Sequence, residues 1–358
     1  MTKNELIELR NRELSDYYAE SMELAGNLRA EAAPVPPKTD QRLAIGGRQR
    51  EKDNYDLVIR VQNVAGRAVT RAKQIIERIR KEYGDNQGID YAVIKRITVP
   101  SQKAVAETGS RGSFGTKHLR PLSIGYSIGH LDGGPGTIGL FASATNGVAA
   151  VSCNHVLALV NEANAGQWIY QPGPPDLAAD TQNRIGRLAN FRALTRIGSN
   201  YIDAAYCILE DEVDINENVI SPESGAPDAG QAFESIVDPF DLKLDQRIAK
   251  IGRTTGYTSE PAENVSVGIN DVTIEIPGAG NHRFDNMIEI EWSDGRRPFA
   301  KPGDSGSAIY QEGDRTVFGL HVASGEITRK IGGTRKTAKV SYACPISQVM
   351  DVYHLALL

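Results

Sequence analysis

KPGDSGSAIY, residues 301–310, sets Ser305 between Gly303, two residues before it, and Gly306, immediately after it. A serine hydroxyl becomes a useful nucleophile only when a base takes its proton and nearby donors receive the charge that develops on the attacked carbonyl. Glycines so close to the serine let the backbone turn tightly, so that the N–H groups of Gly303 and Ser305 can converge on one point. That arrangement is an oxyanion hole. Removing one donor from such a hole costs roughly 10² to 10³ in rate, so the glycine frame has a chemical purpose beyond making a loop.

The base is expected at His155 in VSCNHVLAL, where a strand ends and a short helical turn begins. His118, His130, His282, His321 and His354 fall in loops, a later strand or the terminal helix, and read as surface or packing residues. Of these, His321 in GLHVASG follows the serine strand and is placed to line the same cleft. The orienting acid should be buried beside the histidine, and Asp203 in NYIDAAYCIL is surrounded by apolar and small residues. Asp211, Glu212 and Asp214 belong to an acidic connection in which full solvation is the natural state. The order is therefore His155, Asp203, Ser305. An α/β-hydrolase would present Ser, Asp, His with a G-x-S-x-G elbow, but Ser307 stands where its last glycine belongs; a subtilisin would present Asp, His, Ser.

Outward from these residues the texture from about Ile124 is of short β-type runs broken by glycine, asparagine and proline. GTIGLFASA and VAAVSCNHVLA read as a hairpin whose turn is expected at Asn146-Gly147, with positive φ at both. RIGRLANFRAL, YIDAAYCIL, RIAKIGRTTGY, NVSVGI, DVTIEI, NMIEIEW, GSAIYQ and TVFGLHVA are further strands, and DEVDINENVISPESGAPDAG is a connection between two β units. Before them, residues 1–33 form an amphipathic helical segment with Leu6, Leu9, Leu14, Tyr17, Leu24 and Leu28 near helical spacing. Residues 34–110 form a small α/β region: YDLVIRVQ a strand, GRAVTRAKQIIERIRKEYG a helix and IDYAVIKRITV a second strand. PISQVMDVYHLALL, 345–358, reads as a C-terminal helix.

GTIG, SCNHVLA, QPGPPD, IDAAY, KIGRTTGYT, GDSGS and ACPI occur in this order between about residues 124 and 350, roughly two thirds of the chain. This region resembles the trypsin-like (chymotrypsin-fold) serine peptidases, and among them the intracellular bacterial and plant type that includes NARROW LEAF. The resemblance implies a mainly β, two-barrel fold, with 111–215 as first barrel carrying His155 and Asp203 and 216–344 as second barrel carrying Ser305. It implies a cytosolic serine endopeptidase working through an acyl-enzyme on protein or peptide substrates, with residues 1–110 available to a regulatory partner, as in bacterial defence effectors. Val156 stands where secreted relatives have a disulfide cysteine. Phe299, six residues before the serine, replaces the acid that gives trypsin its basic preference. Phe299, Ala300, His321, Val322 and Ala323 then suggest an apolar or shallow substrate pocket. Asp304 matches the acid that receives a newly cut N-terminus in zymogen-type relatives, and fold-stabilising hydrogen bonding is the plainer role for it. A catalytically silent interaction module and a hydrolase of small esters or amides are the competing readings.

Composition narrows the partners. Forty basic against 45 acidic side chains, a net charge of −5, gives no electrostatic signal for nucleic acid or an anionic membrane. No run approaches the ~18 apolar residues of a membrane span, and MTKNELIELR is no signal sequence, so the expectation is a cytoplasmic protein. Three widely spaced cysteines, Cys153, Cys207 and Cys344, form neither a disulfide framework nor a thiolate metal site. No cofactor is expected: GPGTIG satisfies G-x-G-x-x-G but runs into a strand and turn instead of a helix.

Overall fold

The computed structural model describes residues 1–27, 42–62, 66–100, 114–176, 183–294 and 296–358. PVPPK, 34–38, and most of SRGSFGT, 110–116, which the sequence marks as breaks, lie outside them. The described chain is mainly β. The N-terminal region holds α1 (Lys3–Asn27), β1 (Arg42–Glu51), β2 (Asn54–Gln62), α2 (Arg67–Tyr83) and β3 (Ile89–Ile94). The first β unit holds β4 (Ser127–His130), β5 (Gly136–Thr137), β6 (Leu140–Ala144), β7 (Gly147–Ser152), the single turn α3 (Asn154–Leu157), β8 (Trp168–Tyr170), β9 (Arg184–Phe191) and β10 (Ala205–Leu209). The second holds β11 (Ser235–Ile236), β12 (Arg247–Gly252), β13 (Gly256–Pro261), β14 (Val265–Asn270), β15 (Val272–Ile276), β16 (Gly280–Phe284) and β17 (Met287–Glu291). It continues through β18 (Ala308–Gln311), β19 (Thr316–Ile331) and β20 (Thr334–Pro345), and α4 (Ile346–Tyr353) and β21 (Ala356–Leu357) end the chain.

The first unit is an eight-stranded sheet in the order β21-β6-β7-β10-β9-β8-β4-β5. Its apolar residues, among them Phe141, Val151, Leu188 and Cys207, are fully buried and join one core with Ala249, Leu320 and Val322 of the second unit. The hairpin β6–β7 closes one residue earlier than expected: Ala144 pairs with Gly147, the loop is Thr145-Asn146, and of the expected pair only Gly147 takes a positive φ, 131°. The helix expected over 345–358 stops at Tyr353, because His354 turns left-handed at φ 53°. The remaining residues return as β21 to pair with β6, so the C-terminus helps close the first unit.

The second unit continues into the N-terminal region. β1 pairs antiparallel with β14, with Gly47 opposite Val267, and β3 pairs antiparallel with β19, with Ile94 opposite Ile327. Between them β1 and β2 form a hairpin and β2 and β3 run parallel through the α2 crossover. The path β19-β20-β17-β14-β1-β2-β3 therefore returns to its starting strand. β1 was not anticipated, because RLAIGGRQRE is interrupted by Gly46 and Gly47 and ends polar. Gly47 is needed there for close approach: a β-carbon would lie 2.1 Å from Leu6 Cδ2 of α1. α2 turns Ala68, Ala72, Ile75 and Ile79 inward at helical spacing.

Inside this ring charges balance one another. Arg60 on β2, fully buried, reaches Glu289 on β17 at 2.7 Å and Asp90 on β3 at 2.8 Å. Arg329 on β19 forks onto Asp90 and Glu291, and Tyr342 donates to Glu289 at 2.6 Å. Buried ions of this kind are tolerated only when every partner is present, so the N-terminal strands and the second unit have to fold together.

Candidate active site

His155 and Asp203 lie on the first unit and Ser305 on the second, on segments that face each other across Gly136. His155 is the second residue of α3, a turn too short to hold itself. Asn154 fixes it from outside, donating through Nδ2 to Arg192 O at 2.8 Å and to Asn161 Oδ1 at 2.9 Å. Asp203 lies two residues ahead of β10 and is completely buried. Its Oδ2 sits 2.6 Å from His155 Nδ1 and its Oδ1 accepts the His155 backbone N–H at 3.2 Å. A carboxylate beside Nδ1 places the ring proton there and leaves Nε2 with a lone pair. Tyr353 of α4 braces the arrangement, donating to Ala204 O at 2.6 Å and accepting from the Arg192 N–H at 2.7 Å.

Ser305 enters from the second unit. Its carbonyl accepts the Thr137 N–H of β5 at 2.8 Å, and its Oγ lies 3.4 Å from Val322 O on β19. The His321 carbonyl takes both the Gly306 N–H, at 2.8 Å, and the Cys153 thiol, at 3.2 Å. One acceptor thus holds the residue after Ser305 and the residue two before His155. A β-carbon on Gly136 would lie 2.8 Å from Ser305 O and 2.5 Å from Val156 Cγ2, so the serine and histidine segments face each other across a single glycine.

Both glycines that frame Ser305 take positive φ. Gly303 and Gly306 have φ of 100° and 89°, where a side chain is strained, and a β-carbon on Gly306 would meet Ser152 Oγ at 2.1 Å. Thr254 Oγ1 donates to Pro302 O at 2.7 Å, and Thr137 Oγ1 donates to Gly303 O at 2.9 Å. N–H and C=O point to opposite sides of a trans peptide, so tying down the Pro302 carbonyl turns the Gly303 N–H the other way. Among the described residues no protein acceptor takes the Gly303 or Ser305 N–H.

Asp304 is buried and saturated. Oδ1 accepts Thr254 N at 2.9 Å and Thr255 N at 3.1 Å; Oδ2 accepts Lys301 N at 2.9 Å, Thr255 Oγ1 at 2.8 Å and Lys250 Nζ at 3.1 Å. Burial, the largest influence, pushes its pKa up, but Lys250 and the other donors outweigh it and the net shift is downward. The only charged partner of this carboxylate among the described residues is the Lys250 ammonium.

The expected pocket residues separate. Ala300 lines a cavity with Pro100, Trp292, Lys301, Pro302, Ser324 and Gly325. Phe299, Val322 and Ala323 are packed in the core, with the Phe299 ring 5.6 Å from Lys250 Nζ. The His321 imidazole is buried behind them, and burial first, then Lys250, lowers its pKa to about 3, so it is neutral at pH 7. Cys153, His155 and Asp203 offer three donor atoms within 4.8 Å of one another. The thiol, however, is pushed well above its ordinary pKa by burial and donates to a carbonyl, which is the behaviour of a packing residue.

Sequence reasoning missed Thr137, Thr254 and Lys250, although GTIG and KIGRTTGYT were singled out. It also gave QPGPPD no role. Asp176 of that motif pairs bidentately with fully buried Arg253 of KIGRTTGYT, 2.5 Å from Nε, and accepts Ser127 Oγ at 2.8 Å, which clamps the two units together.

The fold is that of a mainly β, two-barrel, chymotrypsin-like chain, with His155 and Asp203 on the first unit and the glycine-framed Ser305 on the second. Among solved structures it is similar to a glutamic acid specific serine protease that uses a histidine triad in substrate binding, at 19% identity and a TM-score of 0.41. That similarity covers 66% of this chain and 100% of the other. Thermobifida fusca protease A matches at 11% identity and TM-score 0.42, covering 66% of this chain and 99% of that one. Alpha-lytic protease homolog N4 matches at 14% and 0.41, covering 66% and 100%. No protein-family model matches the sequence, the NARROW LEAF type included, and no characterised protein is significantly similar to it in sequence. No described helix is long and apolar enough to cross a membrane.

Proposed function

We propose that this chain is a serine endopeptidase in which Ser305 is the nucleophile, His155 the general base and Asp203 the residue that orients it. His155 Nε2 takes the Ser305 proton as Oγ bonds to the scissile carbonyl carbon. The oxyanion is received by the Gly303 and Ser305 N–H groups, and the amine leaves with the proton from His155. Water, deprotonated by the same imidazole, then hydrolyses the acyl ester. Asp203 stabilises the imidazolium without itself being protonated. Three free, buried cysteines are compatible with a cytosolic setting. The observation that carries this reading is the Asp203 carboxylate, spent entirely on the ring and backbone of His155 at the seam that Ser305 faces from the other unit.

A fluorophosphonate added to the full chain is expected to modify Ser305, seen as a mass increase on the peptide containing it, and Ser305→Ala should take none. A wild-type chain that stays unmodified while folded, or an unchanged label in Ser305→Ala, overturns the assignment.

A further inference from the structure

The edge of β19 nearest Ser305 is occupied by the chain itself. Thr98 N–H donates to Ser324 O at 3.1 Å and Ser324 N–H donates to Thr98 O at 3.4 Å, an antiparallel pair. Three residues earlier Lys95 N–H donates to Glu326 O at 3.0 Å. On the segment's other side Val99 N–H donates to Glu275 O at 3.0 Å and Glu275 N–H to Ile97 O at 2.9 Å, so β15 holds it against β19. Gly325 permits the approach, since a β-carbon there would lie 3.0 Å from Arg96 O and 3.1 Å from Ile97 Cγ1.

The register matters because the same edge leads to the serine. Val322, two residues from Ser324, is the one whose carbonyl lies 3.4 Å from Ser305 Oγ. Antiparallel pairing moves two residues forward on one strand for two back on the other, so beyond the Thr98–Ser324 pair the segment runs toward Pro100 as β19 runs back toward Val322, where β19 is bulged against β20. Pro100 accordingly lines both the cavity with Ala300, Lys301 and Pro302 and the cleft with His155, Asp132 and Glu162. An extended peptide that adds a strand to this edge would present its carbonyls to Ser305 in this register. The segment imitates such a peptide, with one defect at its end: Pro100 has no N–H to give to the strand edge.

We infer that Ile97–Pro100 is an intramolecular pseudosubstrate, lying in the strand position an extended peptide substrate must take. This rests on the protease reading above. A tethered strand competes at an effective concentration in the millimolar range, so peptide cleavage by the full chain is suppressed until the segment is lifted, whereas a small ester that needs only the serine and its oxyanion donors is not.

Thr98→Pro removes the N–H that pairs with Ser324 and leaves every residue of the catalytic group intact. The variant is expected to raise kcat/KM for peptides of about eight residues roughly tenfold or more, with hydrolysis of p-nitrophenyl acetate changed less than about twofold. Equal peptide turnover in both proteins, with ester hydrolysis intact, overturns the pseudosubstrate and leaves the protease; absence of ester hydrolysis and of fluorophosphonate labelling in both removes the protease reading itself. Hydrogen exchange on the wild type needs no variant. A peptidyl phosphonate bonded to Ser305 should strip protection from the Thr98 and Val99 amides, and unchanged protection overturns the inference. So does cleavage of the wild type after Pro100, because the segment is then a substrate.

Discussion

The two walls of the cleft hold their residues by different means. On the histidine wall one carboxylate does both jobs: Asp203 fixes the imidazole in space through the His155 N–H and sets its electronics through Nδ1. On the serine wall the jobs are divided. Asp304, with five donors and an internal ammonium, shapes the backbone, while Ser305 beside it carries the hydroxyl and takes no part in that network. Function and fold should therefore be separable by mutation on the first wall through chemistry, and on the second through stability.

The largest effect is expected from Asp203→Asn on turnover. An amide can retain one of the two contacts but reverses the polarity at Nδ1, favouring the wrong tautomer, and kcat should fall about 10⁴-fold. Stability should fall by only ~1 kcal/mol, the worth of a hydrogen bond exchanged for a poorer one. Rate measurements on peptide or ester alongside a thermal melt test both halves. A variant keeping a tenth of wild-type activity contradicts the role of Asp203, and one that unfolds erases the contrast between the walls.

The histidine wall was largely legible in the sequence, and the serine wall only at its centre. VSCNHVLAL and NYIDAAYCIL carry their message in side chains whose chemistry is rare, a histidine at a strand end and an acid among small apolar residues. The five donors on Asp304 come from two separate stretches, and three of them are the backbone amides of Thr254, Thr255 and Lys301, which no residue type announces. Lys250 is fully buried, where a lone lysine in a strand of alternating character reads as solvent-facing. The same limit hid the N-terminal junction: α2, β2 and β3 were visible from periodicity, but β1 was not, and its pairing with β14 joins segments more than two hundred residues apart and leaves no local pattern. Thr98 facing Ser324 is a contact of the same long-range kind.

Next in size is Asp304→Asn. It leaves the Lys250 ammonium buried against a neutral amide, and breaking a buried pair from one side costs about 3–5 kcal/mol. The sign of its pH dependence follows from the lowered pKa of the carboxyl. Such a group contributes stability that is fully present above its unfolded value, about 3.9, and is lost as the pH falls through the lower folded value. Denaturant titrations should show the gap between wild type and variant complete at pH 7 and narrowing below about pH 4. A gap that stays constant down to acid unfolding would mean that the ion pair contributes nothing and that the amide donors alone hold the loop.

The smallest effect expected is also the sharpest test of the first wall. Tyr353→Phe deletes a hydroxyl that donates to Ala204 O and accepts the Arg192 N–H. Ala204 follows Asp203, and Arg192 O receives Asn154, the neighbour of His155, so the hydroxyl braces both partners of the pair from behind. Its loss leaves two buried backbone groups unsatisfied at a cost of ~1–3 kcal/mol. If the carboxylate itself sets the position of the imidazole, the remaining contacts of 2.6 Å and 3.2 Å survive. Turnover should then fall less than about tenfold with KM unchanged, far short of the loss in Asp203→Asn. A drop in kcat comparable to that of Asp203→Asn, in a protein that melts cooperatively, would show that the brace rather than the carboxylate places the histidine, and that the two walls are built alike after all.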